Sequence, residues 1–331
     1  MAISRCNKCA YLQEQSDGQI GESIACLQCG SPTIVYPTLF FVGKLLEKCF
    51  AAQRELIGLK KANGAATQQQ VAEAEKTRPV EAIDLANTDQ LSSTEQHRPI
   101  AEWFGRKQIP VEVNSHAVDT TGFFDEVAMT IGQSLPVLKD TIDRLRWAQQ
   151  KGYSSTVIPL DQKSAEEART TTAFCQQLYE YSFVGKYLPN REKNSVRLVL
   201  QTAPAIRQFF AGEWLEWFVM MTCLGYCQER GKRFSCARQL IVMLSDHDRC
   251  ELDVFMLIDG QLPICIECKS GEYRQDIDKY LGLRKRLGLS GNRFVLCIAG
   301  LSDEHARGLS AMYDLTFVSE RGLLSHLGTL F

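Results

Sequence analysis

The sequence predicts a mixed α/β protein, with a C-terminal mixed sheet flanked by helices, preceded by a helical region and a small cysteine-built module. Three observations carry this. A hairpin pattern over residues 251–269 is followed by alternating strand and helix signals to the end of the chain. Between residues 100 and 201 apolar residues recur mostly at helical spacing. Two Cys-x-x-Cys pairs stand near the N-terminus, in a segment too short to bury a core of its own.

In the hairpin, the apolar runs Val254–Ile258 and Leu262–Ile266 flank the turn signal Asp259-Gly260. Asp253 opens the first strand. Glu267 and Lys269 end the second, two residues apart and so on one face. Charges among Ile, Cys and Val are costly to bury unless paired or metal-bound. Two converging carboxylates suit a hard divalent cation such as Mg²⁺, and Lys269 beside them could orient a water or offset charge on a phosphoryl oxygen. A bare Glu-x-Lys is also compatible with an ordinary salt-bridged hairpin.

The surrounding motifs add to this. Gly212-Glu-Trp-Leu-Glu216, Glu251-Leu-Asp-Val254 and Ile266-Glu-Cys-Lys-Ser-Gly271 occur in that order. Together they resemble the PD-(D/E)xK, restriction-endonuclease-like nuclease superfamily, and within it the nuclease half of CRISPR-associated nucleases switched on by cyclic oligoadenylate. The resemblance covers roughly residues 205–325. It implies metal-dependent hydrolysis of phosphodiester bonds in DNA and/or RNA, in defence against foreign nucleic acid, by a dimer that brings two sites together. In that reading Asp253 and Glu267 hold Mg²⁺ or Mn²⁺ with the backbone carbonyl of Cys268, Glu216 adds an acid from a helix, and Lys269 positions or helps deprotonate the water. The family's N-terminal sensor is not matched: no Gly-rich phosphate loop and no repeated strand–helix alternation precedes the nuclease segment. Activation by cyclic oligoadenylate is therefore not carried over.

Cys6-x-x-Cys9 and Cys26-x-x-Cys29 have the spacing of two knuckles that close a tetrahedral Cys₄ site, and the segment resembles a zinc ribbon. A closed site of this kind is structural: zinc would fold a module that then binds DNA, RNA or a protein partner. The other nine of the 13 cysteines are scattered, several in apolar runs, as free thiols in a reducing compartment would be. With no export signal and no membrane span (the longest apolar run, Trp214–Met221, is short and contains Glu216), the expected location is cytoplasmic. A formal net charge of −2 means that any nucleic-acid surface must be a local patch.

Taken in order, residues 1–36 read as the ribbon and 37–61 as a helix with Phe41, Leu45, Leu46, Cys49, Phe50 and Ile57 on one stripe. Residues 62–98, without an aromatic and rich in Ala, Gln, Thr and Glu, read as a flexible linker. Residues 99–202 read as a mainly helical middle region: one helix over 122–150 interrupted near Pro136, another over 162–187 capped by Asp161, then a strand at Val196–Leu200. Residues 203–331 form the nuclease-like domain, opening with a helix from Ala203 to about Tyr226. After Gly271 a helix carries Arg274, Lys279, Arg284, Lys285 and Arg286 largely outward, either as a solvated face or as phosphate contacts. The alternative to an enzyme is a non-catalytic nucleic-acid or protein adaptor with a zinc ribbon and a nuclease-like scaffold. Retention of Asp253, Glu267 and Lys269 together weighs against it.

Overall fold

The computed structural model describes residues 2–6, 8, 9, 11–38, 91, 93–114, 117, 123–245 and 248–331. The chain divides into two compact units, Met1–Pro79 and Val80–Phe331. The expected helix over 37–61 lies, after Thr38, outside the described residues, as does residues 62–90 of the expected linker.

In the first unit four short strands form an antiparallel sheet of order β2-β1-β4-β3: β1 (Ala2–Arg5), β2 (Leu12–Gln15), β3 (Ser23–Ala25) and β4 (Pro32–Pro37). Its interior is small, with Ala2, Ser4, Thr33 and Val35 facing inward by strand alternation. The two cysteine knuckles repeat one another. The Cys6 amide donates to Tyr11 O and the Cys26 amide to Ser31 O, each closing a loop five residues on.

The second unit is built on a six-stranded mixed sheet of order β13-β12-β11-β10-β9-β5. Its strands are β5 (Val111–Glu112), β9 (Phe234–Ser245), β10 (Asp248–Ile258), β11 (Leu262–Lys269), β12 (Phe294–Ile298) and β13 (Thr316–Val318). β9, β10 and β11 run antiparallel; β11, β12 and β13 are parallel, with helical crossovers between them. The β10–β11 turn forms where the sequence places it, with Asp259 and Gly260 at φ 49° and 70°, the left-handed pair a two-residue hairpin needs. Helices cover both faces, as expected.

On one face lie α1 (Thr94–Gly105), α7 (Ile277–Leu287) and α8 (Asp303–Met312), packed through Ile100, Phe104, Tyr280 and Ala306 onto Phe255, Leu257 and Leu296. α1 begins inside the segment read as linker. Ser93 caps it by accepting from the Gln96 amide at 3.2 Å, and Ile100, Trp103 and Phe104 bury it despite Pro99.

The other face carries α6 (Trp214–Glu229) and the middle region: α2 (Phe123–Gln133), α3 (Leu135–Gln150), α4 (Ala165–Glu180) and a three-stranded antiparallel sheet β6-β8-β7. The middle region is therefore less helical than expected. β6 (Ser155–Pro159) and β7 (Val184–Asn190) flank β8 (Ser195–Leu200), the one strand the alternation revealed. β7 holds Gly185 and Pro189, which obscure its pattern. The α2–α3 break falls at Ser134, with Pro136 tolerated in the first turn of α3, and α4 is capped by a Ser164–Glu167 capping box instead of Asp161. With the middle region over it, α6 is buried nearly all round, from Trp214 to Cys227. The closing elements, α8, β13 and α9 (Leu323–Leu327), continue the strand–helix alternation expected after the hairpin. No described helix is long and apolar enough to cross a membrane.

Candidate active site

The site lies where β10, β11 and the start of α6 meet, and a fault in the sheet creates it. Along β10, Val254, Met256 and Ile258 face the α6 core while Phe255 and Leu257 face the α7 core. Strand alternation would put Leu252 with Val254, yet Leu252 lies with Phe255. β9 does the same: Cys236 faces α6, whereas Ala237 and Leu240, three apart, share the α7 core. Both strands exchange faces at one level, where Asp253 and Gln239 stand between the pairs Leu252–Leu240 and Val254–Arg238. Gln239 takes φ 53° there, a left-handed conformation that costs an L-residue about 1–2 kcal/mol. Asp253 is thereby turned out of the regular alternation.

The β10–β11 ladder ends at Val254–Ile266, and the Asp253 side chain continues it: Oδ2 accepts the Cys268 amide at 2.7 Å. Since a strand residue's N–H and C=O point to the same edge, the Cys268 carbonyl opens on the gap that Asp253 lines, while the next carbonyl, Lys269 O, faces β12 and accepts from Ala299 at 2.9 Å. Glu267 is 2% exposed. Its Oε1 has the Cys265 thiol 4.0 Å away. Burial, and then the Asp253 charge, push its carboxyl well above the usual range, against Lys269 and Lys279. Asp253 is also raised, by burial, against the Cys268 amide and Lys269.

Glu267 and Lys269 share the α7 side of β11. The Lys269 ammonium stands 5.7 Å from the centre of the Tyr280 ring and 3.9 Å from Asp276 Oδ2. The buried Tyr280 hydroxyl has no hydrogen-bond partner among the described residues, and its acidity is suppressed by burial and the charges of Glu267 and Asp253. Among the described residues no Lys or Arg nitrogen lies within 4.0 Å of the Asp253 or Glu267 carboxylate. Oxygen donors, the burial of Glu267 and the lack of a directly paired cation among the described residues fit a hard divalent cation.

Glu216 is held differently. Its Oε2 accepts from Arg238 at 2.8 Å and from the Gln239 amide nitrogen at 3.4 Å. Burial and the nearby Asp253 charge, opposed by Arg238, raise it to about 8. It does not join Asp253 and Glu267 in a common trio of ligating atoms. The described group of that kind is the four cysteines, whose ligand atoms all lie within 4.8 Å of one another. Glu213 is 3.8 Å from Arg238. Arg238 is what sequence reading passed over; its signal was a lone cation in the apolar run Cys236–Leu244.

Gly212 closes the arrangement. A Cβ there would stand 2.8 Å from Ser270 Oγ, so a bare backbone lets the start of α6 meet the end of β11. The chain enters α6 through α5 (Pro204–Gln208) and a widened turn, Phe209–Glu213, so the single helix expected from Ala203 is three pieces.

Of the basic residues expected on α7, Lys279, Lys285 and Arg286 are exposed, as is Arg274 just before the helix. Arg286 pairs with Asp248 and Arg274 with Glu272. Arg284 is not outward: it is buried, donates to Leu289 O at 2.9 Å and pairs with Asp314. The reason is its position one turn from Tyr280 and one residue from Leu283, on the packed side of the helix.

In the first unit Cys6 Sγ is 3.4 Å from Cys29 Sγ, and Cys9 Sγ 3.6 Å from Cys26 Sγ. These are far beyond a disulfide bond and close to the roughly 3.8 Å edge of a tetrahedron with 2.3 Å Zn–S bonds. All four are free thiols, and hydrogen bonds from Ser31 draw Cys29 down to about 6, toward the thiolate a metal takes. The cluster could hold a metal such as zinc.

No protein-family model and no curated protein matches the chain. Among solved structures it is similar to Can2 from Sulfobacillus thermosulfidooxidans in complex with cyclic tetra-adenylate, at 16% identity, over 70% of this chain and with a TM-score of 0.47. It is similar to the same extent to protein VC1899 from Vibrio cholerae, at 17% identity and a TM-score of 0.47. The chain covers 60% of the length of each of these two proteins.

Proposed function

We propose that the second unit is a metal-dependent nuclease that hydrolyses phosphodiester bonds of DNA and/or RNA in defence against foreign nucleic acid. The observation that supports it most is a carboxylate pair, the half-buried Asp253 and the buried Glu267, with no protein cation within ion-pair distance among the described residues and with Lys269 on the Glu267 face. Asp253, Glu267 and the Cys268 carbonyl would hold Mg²⁺ or Mn²⁺. The ion, when bound, would polarise the phosphoryl oxygen and acidify a water. The Cys268 amide fixes Asp253 for that task. Lys269, as an ammonium, would orient the water for in-line attack and offset charge on the pentavalent phosphorus. Lys279 and Lys285 would contact the backbone phosphates without reading sequence. Zinc in the ribbon would fold a binding module, and two copies of the chain would pair their sites.

The test is incubation of the protein, and of Lys269→Ala, with single- and double-stranded DNA and RNA in Mg²⁺, Mn²⁺ or EDTA. Cleavage that needs the metal and is lost in the variant is the expected result. Equal nucleic-acid binding by both proteins with no cleavage of any substrate would favour the adaptor reading.

A further inference from the structure

One arginine, Arg238, does meet the acids at the start of α6, and several contacts hold it there. Arg238 is 5% exposed and lies on β9 beside the face exchange. Its Nη1 is 2.8 Å from Glu216 Oε2 and 3.8 Å from Glu213 Oε2. Its Nε donates to Ala117 O at 2.8 Å, and its guanidinium carbon stands 3.9 Å from the centre of the Trp217 ring. A guanidinium cannot shed its proton, so this charge is permanent. Burial, and then the Asp253 charge, raise the Glu216 carboxyl against Arg238.

A second divalent ion sharing Asp253 on the α6 side would draw on Glu216, which is more deeply buried than its neighbour Glu213. That place is taken. We propose that Arg238 stands in for a second metal ion: a positioning residue that holds Glu216 away from the ion bound by Asp253 and Glu267, so that each chain works with one ion. The inference rests on the nuclease reading above. It assigns Glu216 to Arg238 and leaves Asp253, Glu267 and the Cys268 carbonyl as the ion's protein ligands. Gln239 supports it, because its left-handed turn brings its side-chain amide to the same Glu216 oxygen that Arg238 holds.

The experiment is a Mn²⁺ titration of the full chain, with zinc retained in the ribbon, read by electron paramagnetic resonance and calorimetry. Wild type should bind one Mn²⁺ per chain. Glu216→Gln should keep that stoichiometry with a Kd within about twofold, because an amide still accepts from Arg238 and the ion loses no ligand. Arg238→Met should free Glu216 and raise the count to two. Two ions in wild type, a Kd weakened by about tenfold or more in Glu216→Gln, or a single ion in folded Arg238→Met would each overturn the inference while leaving the nuclease reading standing. No Mn²⁺ in wild type would remove both. Should Arg238→Met fail to fold by circular dichroism, the wild-type count and the Glu216→Gln affinity decide the matter.

Discussion

Asp253 Oδ2 accepts the Cys268 amide at 2.7 Å, one step beyond the last backbone pair of the β10–β11 ladder. The carboxylate thus has two tasks, closing the sheet and facing the candidate ion. They can be separated. In Asp253→Asn the amide oxygen still accepts from Cys268, so thermal stability should stay close to wild type while Mn²⁺ binding is lost. In Asp253→Ala the Cys268 amide is left without its partner, and stability should fall by about 1–3 kcal/mol as well. Denaturant melts beside metal titrations check both.

Burial raises Glu216 from 4.5 to about 8, so the folded chain keeps a proton that the unfolded chain has lost. Its contribution to stability is fully present below about pH 4.5 and is lost as pH rises through about 8. Without divalent metal, the stability difference between wild type and Glu216→Gln should therefore shrink, or turn in favour of the variant, as pH climbs across that window. Asp253 and Glu267 are raised as well, so Mn²⁺ must displace protons and its affinity should fall as pH falls. Chemical denaturation and calorimetry over a pH series report the two effects separately.

Gly212→Ala places a methyl 2.8 Å from Ser270 Oγ and should push α6 away from the end of β11, costing about 1–3 kcal/mol. Adding Ser270→Gly removes the obstructing hydroxymethyl and should recover part of the loss. An equal loss in the double variant would count against the close approach as the cause.

On α7, Arg284→Ala removes a buried guanidinium and leaves Leu289 O without its donor, while the exposed Asp314 returns to water, so it should act on stability, by about 1–3 kcal/mol. Lys279→Ala and Lys285→Ala should leave the melting temperature unchanged. If these lysines meet phosphates, each should lower nucleic-acid affinity evenly across sequences and reduce the salt slope by about one.

Cys26→Ser should release one zinc per chain and abolish the order of residues 2–38. Among the described residues the two hydrophobic cores of the second unit begin at Leu91, so their unfolding transition should remain. Metal analysis and differential scanning calorimetry on the variant test this.

Local signals were enough for much of the chain. Cys6, Cys9, Cys26 and Cys29 converge because a two-residue spacing leaves a knuckle little choice of geometry. The Asp259-Gly260 turn, the apolar runs beside it and the strand–helix order after Gly271 likewise follow from period and turn chemistry, which act within a few residues. What depends on distant partners was hidden. β7 and β6 acquire their strand character from β8 between them. Arg284 turns inward because Leu289 O and Asp314 await it. The face exchange at Asp253 and Gln239 needs two strands to break their alternation together, and one strand's sequence records only half of that event. Most of all, the sequence by itself determined that Glu216, Asp253, Glu267 and Lys269 are present in order along the chain. Only the tertiary structure decided that Glu216 answers to Arg238, because a buried carboxylate goes to whichever cation the fold brings within hydrogen-bonding distance.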